Sequence, residues 1–411
     1  MENIENLYKI LKDNNQEHII KILNKLDTYN QEKLIKEIDK LDFNQIKELY
    51  NDEKKYDLNK IEHIKYIDKY GIDEEVLKKY KQMGEEYIKE KKYAVVTMAG
   101  GQGTRLGHTG PKGTYKINTI KGEKYLFEII VESLINAKNK YGVYIPWYIM
   151  TSKANNIQTV EFLKMHNYFN YPAECIKIFI QNEIPMISDD GKIIIDENYN
   201  VKEASDGNGG IYKCMKKDGI IEDMKNKGIE WIFVGGVDNI LLKIVDPILV
   251  GATISENNLI ASKSVVKAYP EERAGVFCKI NNKPRVIEYS EMTPEMCKKT
   301  DANGELVFGE INILSHLYNI KALEKLSEKK MPYHKAYKKC DYIDENLTLI
   351  KAEEPNAYKF EAFIFDGFEE FENMTVLRVR REEEFAPIKN KTGNDSPETA
   401  EKLYNNFMKN K

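Results

Sequence analysis

A short apolar run, Ala94-Val95-Val96-Thr97-Met98, leads into Ala99-Gly100-Gly101-Gln102-Gly103-Thr104-Arg105-Leu106-Gly107, with Pro111-Lys112-Gly113 close behind. A strand that opens directly into glycines exposes backbone N–H groups at its carboxyl end, a geometry suited to phosphate oxygens. Further apolar runs follow at 147–150, 176–180, 229–237 and 259–266, separated by amphipathic helical stretches. Strands alternating with helices predict an α/β fold: a mostly parallel mixed sheet with helices on both faces, Rossmann-like in outline.

Before that run the chain reads as helix throughout. Ile19, Ile20, Ile22, Leu23 and Leu26 recur at helical spacing, as do Leu34, Ile35, Ile38 and Leu41; Asp42 before Phe43 starts another segment, and no proline occurs before Pro111. The expected division is an N-terminal helical extension over 1–90, a catalytic domain over 91–390 and a short tail over 391–411. Asp189-Asp190-Gly191 predicts a tight turn entering a strand at 192–196, and Asn281-Asn282 a hairpin over 275–289.

Composition narrows the function. With 62 basic and 66 acidic side chains and a formal net charge of -4, the chain has no global positive field for a nucleic acid. No stretch approaches the ~20 apolar residues that span a bilayer, and the polar N-terminus has no secretory core; a cytoplasmic protein without nucleic acid or membrane partners is expected. The five cysteines, Cys175, Cys214, Cys278, Cys297 and Cys340, form no C-x-x-C pair and read as reduced, packed thiols.

Two common phosphate loops fail on spacing. A Walker A loop needs Ser or Thr after its lysine, and Lys112 precedes Gly113. A dinucleotide fingerprint needs G-x-G-x-x-G, and after Gly101 and Gly103 the next glycine, Gly107, comes one place too late. The whole string instead resembles the G-G-x-G-T-R-L-G and following P-K of sugar nucleotidyltransferases, specifically the eukaryotic-type UDP-N-acetylhexosamine pyrophosphorylases of the UDP-sugar pyrophosphorylase family. Trp147 to Ser152, Asp206 to Gly210, Val237 to Leu241, Gly275-Val276, Glu288 to Glu291, Asn312-Ile313 with His316, and Arg381 to Asn390 look like that family's successive motifs. The resemblance runs from about Gln16 to Asn390.

The resemblance implies a nucleotide-diphospho-sugar transferase fold of the GT-A-like kind and an activity: UTP and a sugar 1-phosphate give a UDP-sugar and pyrophosphate. It implies that Arg105, Lys112 and Lys389 bear on the phosphates, that Gly100 and Gly101 offer backbone contacts, and that Gln181 and Gly207 meet the uracil. It further implies Asn208, Gly275, Glu288 and Asn312 around the sugar, and Asp238 as a ligand of Mg²⁺. Ser205 stands where the family has proline, and Asn182-Glu183 where it tends to have glycine. The reaction needs positioning and charge neutralisation rather than an activated nucleophile, because the attacking phosphate is already an anion. That agrees with six scattered histidines forming no grouping.

The favoured sugar is N-acetylglucosamine 1-phosphate, with glucose 1-phosphate or a broad specificity as the alternative. A UDP-sugar-binding sensor would be expected to lose Arg105, Lys112 or Asp238, and all three are present. A dinucleotide-dependent oxidoreductase would need the fingerprint that fails. Because the family usually continues into a C-terminal lobe past the position of Asn390, a monomer or weak oligomer is expected.

Overall fold

The computed structural model describes residues 2–51 and 57–410. It forms two compact units: Met1–Tyr56 with Asn182–Gly210 and Met331–Ile364, and Asp57–Gln181 with Ile211–Lys330 and Phe365–Lys411.

The larger unit is built on one sheet. Its main path runs, in spatial order, Ile67–Asp68, Thr375–Arg378, Ile260–Val266, Glu310–Asn319, Trp231–Gly236, Tyr93–Met98, Trp147–Thr151 and Ile176–Ile180. Neighbours pair parallel except at Glu310–Asn319, which runs antiparallel to both strands beside it. The sheet is therefore mixed but mostly parallel, as expected. Every residue of Tyr93–Met98 and of Trp231–Gly236 is buried, so both sheet faces are covered there. The apolar runs at 94–98, 147–150, 176–180, 229–237 and 259–266 each form a strand. The hairpin forms too: Val276–Ile280 pairs with Lys283–Ile287 around Asn281 and Asn282, whose φ of 52° and 62° gives the paired left-handed conformation of a two-residue turn.

The first ninety residues depart from the all-helical expectation. Ile61–His63 and Ile67–Asp68 are short strands that pair with Val276–Ile280 and Thr375–Arg378 at the margin of the large sheet. Their apolar spacing is too brief to separate strand from helix, and open ladder positions on partners far along the chain decide it. Residues 52–56, inside the same expectation, lie outside the described residues.

In the smaller unit Glu2–Asp13, Glu17–Leu23, Thr28–Ile38 and Phe43–Asn51 are helices. Asp27 caps the third by accepting from the Asn30 N–H, and Asp42 accepts from the Asn44 and Gln45 N–H groups at the start of the fourth. Their apolar faces, including Leu11, Ile19, Leu23 and Leu34, share one core with Ile187, Ile193, Ile195, Val201 and Phe360. The helices thus cover segments from 182–210 and 331–364. Gly191 (φ 82°) makes the expected turn after Asp190; beyond it Ile193 and Ile195 form single bridges to Ile187 and Val201 rather than the continuous strand expected at 192–196.

Among the described residues, no helix is long and apolar enough to cross a membrane.

Candidate functional site

The glycine loop is held by its own backbone. Gly103 donates to the Gly110 carbonyl at 3.1 Å, Gln102 bridges to Pro111, and Lys112 donates to the Gly101 carbonyl at 3.1 Å, so the loop doubles back and returns Lys112 beside Gly101. Asn155, fully buried, clamps its base: its amide donates to the carbonyls of Ala99 at 2.9 Å and Gly101 at 3.3 Å. A Cβ on Gly113 would sit 2.2 Å from the Phe127 ring, so only glycine allows the loop to close against the helix Leu126–Tyr141. Gly101 is exposed with open space around its Cα.

Gln181 follows the strand Ile176–Ile180, and its backbone N–H continues the ladder to the Thr151 carbonyl at 2.7 Å. Its side chain is buried, and a Cβ on Gly100 would come within 2.5 Å of its Oε1. Gly100 and Gln181 are therefore direct neighbours. Arg105 sits exposed on the turn Thr104–Leu106, beside the buried Leu106. Among the described residues it makes no ion pair with Asp238.

Asp238 emerges two residues after the strand Trp231–Gly236, and Lys112 Nζ lies 3.3 Å from its Oδ2. Burial alone would raise its pKa; the charges of Lys112 and, next, Lys389 outweigh this and hold the carboxyl below its usual range. Lys389 reaches this neighbourhood because residues 384–388 dock on the turn carrying Asp238. The Asn239 amide donates to the Glu384 carbonyl at 2.7 Å, Ala386 N–H donates to Asn239 Oδ1 at 2.9 Å, and Ile388 N–H donates to the Asp238 carbonyl at 2.9 Å. The Lys389 side chain also pairs with Asp395 at 3.7 Å.

Gly275, Glu288 and Asn312 come together on the hairpin and the reversed strand. Asn312 N–H donates to the Gly275 carbonyl at 2.8 Å, and a Cβ on Gly275 would stand 3.0 Å from Glu288 Oε1. Two residues on, Leu314 takes a left-handed φ of 55°, with its N–H donating to Asn312 Oδ1 at 2.9 Å. Opposite it the register shifts between Ser262 and Ser264, marking a bulge. A Cβ on Gly236 would come within 2.7 Å of Asp238 Oδ1 and 2.9 Å of Leu314 Cδ2, so the bulge touches the carboxylate's surroundings.

Gly207 and Asn208 belong to the smaller unit. Gly207 has a φ of 84°, and a Cβ there would stand 2.2 Å from the Ala362 carbonyl oxygen; Asn208 Oδ1 accepts from the Ile364 N–H at 2.9 Å. The need for glycine at 207 is therefore already met by the backbone of Ala362. His316, packed at the centre of the sheet, bonds Ser262 through Nδ1 at 2.6 Å, and burial pushes its imidazole down to about 3. This agrees with a structural role.

Asn155, Asn239, Leu314 and Glu384 escaped the sequence reading. Asn239 and Glu384 stood inside quoted motifs, which was a usable signal; Asn155 and Leu314 carried none, because a clamp and a bulge exist only once strands pair.

Among the described residues no group of three or more His, Cys, Asp or Glu is arranged to hold a metal. A lone carboxylate does suit Mg²⁺, which keeps several waters and is bound by one or two carboxylates together with substrate phosphates. Asp238, ionised and with its side chain 25% exposed, fits that role.

Residues 40–395 match the family described as UTP–glucose-1-phosphate uridylyltransferase. The chain is 38% identical over 339 residues to human UDP-N-acetylhexosamine pyrophosphorylase-like protein 1, covering 80% of this chain and 67% of that protein. It is 38% identical over 337 residues to the UDP-N-acetylglucosamine pyrophosphorylase of Saccharomyces cerevisiae, covering 79% of this chain and 70% of that one. The solved UDP-N-acetylglucosamine pyrophosphorylase of Trypanosoma brucei, in complex with an inhibitor, superposes with a TM-score of 0.81 at 25% identity, covering 98% of this chain and 84% of that chain. The alignments with the human, mouse and Xenopus tropicalis relatives span 67%, 66% and 65% of those proteins' lengths.

Proposed function

We infer, because this chain belongs to the UTP–glucose-1-phosphate uridylyltransferase family, that it transfers uridylyl from UTP to a sugar 1-phosphate and releases pyrophosphate. The observation that carries the reading is the Lys112–Asp238 pair at 3.3 Å beside the open Gly101 backbone. A cation and a carboxylate at a strand's carboxyl end, next to an exposed glycine, are what a triphosphate with a bound divalent cation requires.

In this reading an oxygen of the sugar phosphate attacks the α-phosphorus in line, and pyrophosphate leaves. Lys112 and Lys389 neutralise charge developing on the transferring and leaving groups, with Arg105 on the outer phosphates. Gly100 and Gly101 bring backbone close to the nucleotide, and the Gln181 amide offers a donor and an acceptor to the uracil edge. Glu288 and Asn312 hydrogen-bond sugar hydroxyls, with Gly275 leaving room for the ring. For Gly207 and Asn208, roles toward the base and the sugar rest on the family resemblance. Asp238 would hold Mg²⁺, which supplies Lewis-acid polarisation of the phosphate oxygens.

N-acetylglucosamine 1-phosphate is the favoured acceptor, supported by the name of the yeast relative; glucose 1-phosphate comes second, supported by the family's description. The assignment of catalysis to 91–390, a cytoplasmic location and a monomeric or weakly associating state belong to the same proposal. The test is pyrophosphate release by the purified protein with Mg²⁺ and UTP across the 1-phosphates of N-acetylglucosamine, N-acetylgalactosamine, glucose and galactose. Release that depends on the sugar and disappears in Lys112→Ala supports the transferase and names its substrate. UTP binding without release for any sugar overturns it in favour of a sensor.

A further inference from the structure

Within the larger unit, a cavity of about 580 Å³ opens between the helices Leu126–Tyr141 and Pro397–Lys409 and the segment 240–248, and none of its lining residues belongs to the site described above. That volume suits a ligand of nucleotide size. Its lining carries five lysines, Lys69, Lys81, Lys121, Lys140 and Lys243, against two carboxylates. Both carboxylates are already engaged by lysines outside the lining, Glu132 by Lys124 and Asp246 by Lys263. Lys69 and Lys243 share Glu384, at 3.4 and 3.3 Å, and Lys140 meets Glu85 at 2.9 Å. Among the described residues Lys81 and Lys121 have no ion pair, so the rim keeps an excess of positive charge that an anion would neutralise. The remaining wall is largely apolar and aromatic, with Ile129, Leu242, Tyr141 and Phe407, and also carries the polar Ser133 and Asn136.

Lys243 also joins the cavity to the transferase site. It lies in the segment that leaves Asp238, and its partner Glu384 begins the 384–388 stretch that docks on Asp238 and Asn239. Lys243 also lies 3.5 Å from Glu383, and an anion drawing it away from Glu383 and Glu384 would act on the same turn that carries Asp238.

We propose that this cavity is a second, regulatory site for a phosphorylated small molecule with a planar or apolar body, such as a nucleoside monophosphate, held by Lys243 and the rim lysines. The effector role rests on the nucleotide reading of the glycine loop; the binding itself does not. The probes are adenosine 5′-monophosphate and inorganic phosphate, followed by calorimetry, which needs no turnover. Adenosine 5′-monophosphate should bind in the presence of saturating UTP and shift the affinity for UTP, by a linkage that works equally in both directions. Lys243→Met should weaken the binding about tenfold, the cost of one charge-assisted contact. Lys121→Met, on the exposed rim and remote from the buried ion network, should weaken it severalfold without altering the fold. No binding, binding displaced by UTP in a simple competition, or binding unchanged in both variants would overturn the site. Inorganic phosphate binding as tightly as the nucleotide would overturn the planar-body requirement, and an unshifted UTP affinity would overturn the effector role.

Discussion

Lys112 and Asp238 stand 126 positions apart in the chain, yet Nζ of the first lies 3.3 Å from Oδ2 of the second. The pair forms because two parallel neighbours, Tyr93–Met98 and Trp231–Gly236, end side by side and their following turns converge. Both side chains are partly exposed, at 15% and 25%, so the contact adds little stability, on the order of 1 kcal/mol at most. In the proposed reaction its value lies in placing a cation and a carboxylate together beside the substrate phosphates.

Lys112→Ala should therefore lower the rate of pyrophosphate release by about a hundred- to a thousandfold while leaving the melting temperature nearly unchanged. Asp238→Asn should impair turnover similarly and raise the Mg²⁺ concentration needed for half-maximal activity. Steady-state rates beside thermal melts separate these effects, and an active Lys112→Ala protein would exclude the assigned role.

Gly100→Ala tests the proposed nucleotide contact without removing a polar group. The new methyl would lie 2.5 Å from Gln181 Oε1, so the amide must move, and UTP should bind about tenfold more weakly. Gln181→Ala should produce a comparable loss, and the double variant little more, because both changes disable one contact. Fully additive losses in calorimetric titrations would show that the two residues act independently.

The buried ion group around Lys263 is expected to matter for stability. Its Nζ, fully buried, meets Asp246 at 2.7 Å and Glu384 at 2.5 Å, and removing one member of such a group costs about 3–5 kcal/mol. Lys263→Met should unfold at markedly lower denaturant. Burial would raise the pKa of Asp246, but Lys263, then Lys69 and Lys243, hold it well below the usual carboxylate range. The resulting stabilisation is complete above the unfolded value near about 4 and is lost as pH falls toward the folded value. Lys263 itself is raised, because Asp246 and Glu384 outweigh its burial, and its share is lost only at strongly alkaline pH. The deficit of Lys263→Met relative to the unaltered protein should accordingly shrink on acidification.

His316 predicts a second acid dependence. Burial holds its imidazole neutral, with a folded pKa of about 3, against about 6.5 when unfolded. Between these values the unfolded chain binds more protons, so stability is complete above the upper one and falls as pH drops toward the lower one. His316→Gln should flatten that slope in denaturant titrations across the interval, without introducing a pH optimum into catalysis.

The strands, the hairpin at Asn281-Asn282 and the helices capped at Asp27 and Asp42 were legible in the sequence, because each depends on local periodicity, turn chemistry or capping. So was the order of motifs, which joined Gly100, Gln181, Asp238, Gly275, Glu288 and Asn312 to a family before any contact was known. The segments at 61–63 and 67–68 were misread, since a strand of two or three residues has no period of its own and exists only where a partner's ladder is open.

The strands and the glycine loop could thus be read from the chain itself, since they follow from side-chain type and spacing, while the roles toward phosphate, base and sugar came from the resemblance of its motifs to a family. Tertiary structure alone decided that Asn155 clamps the glycine loop, that Leu314 bulges beside Asp238, that residues 384–388 bring Lys389 to the same carboxylate, and that Gly207 is glycine because of Ala362. Each of these depends on backbone groups remote in sequence meeting within a few ångströms, and no local pattern encodes a distance.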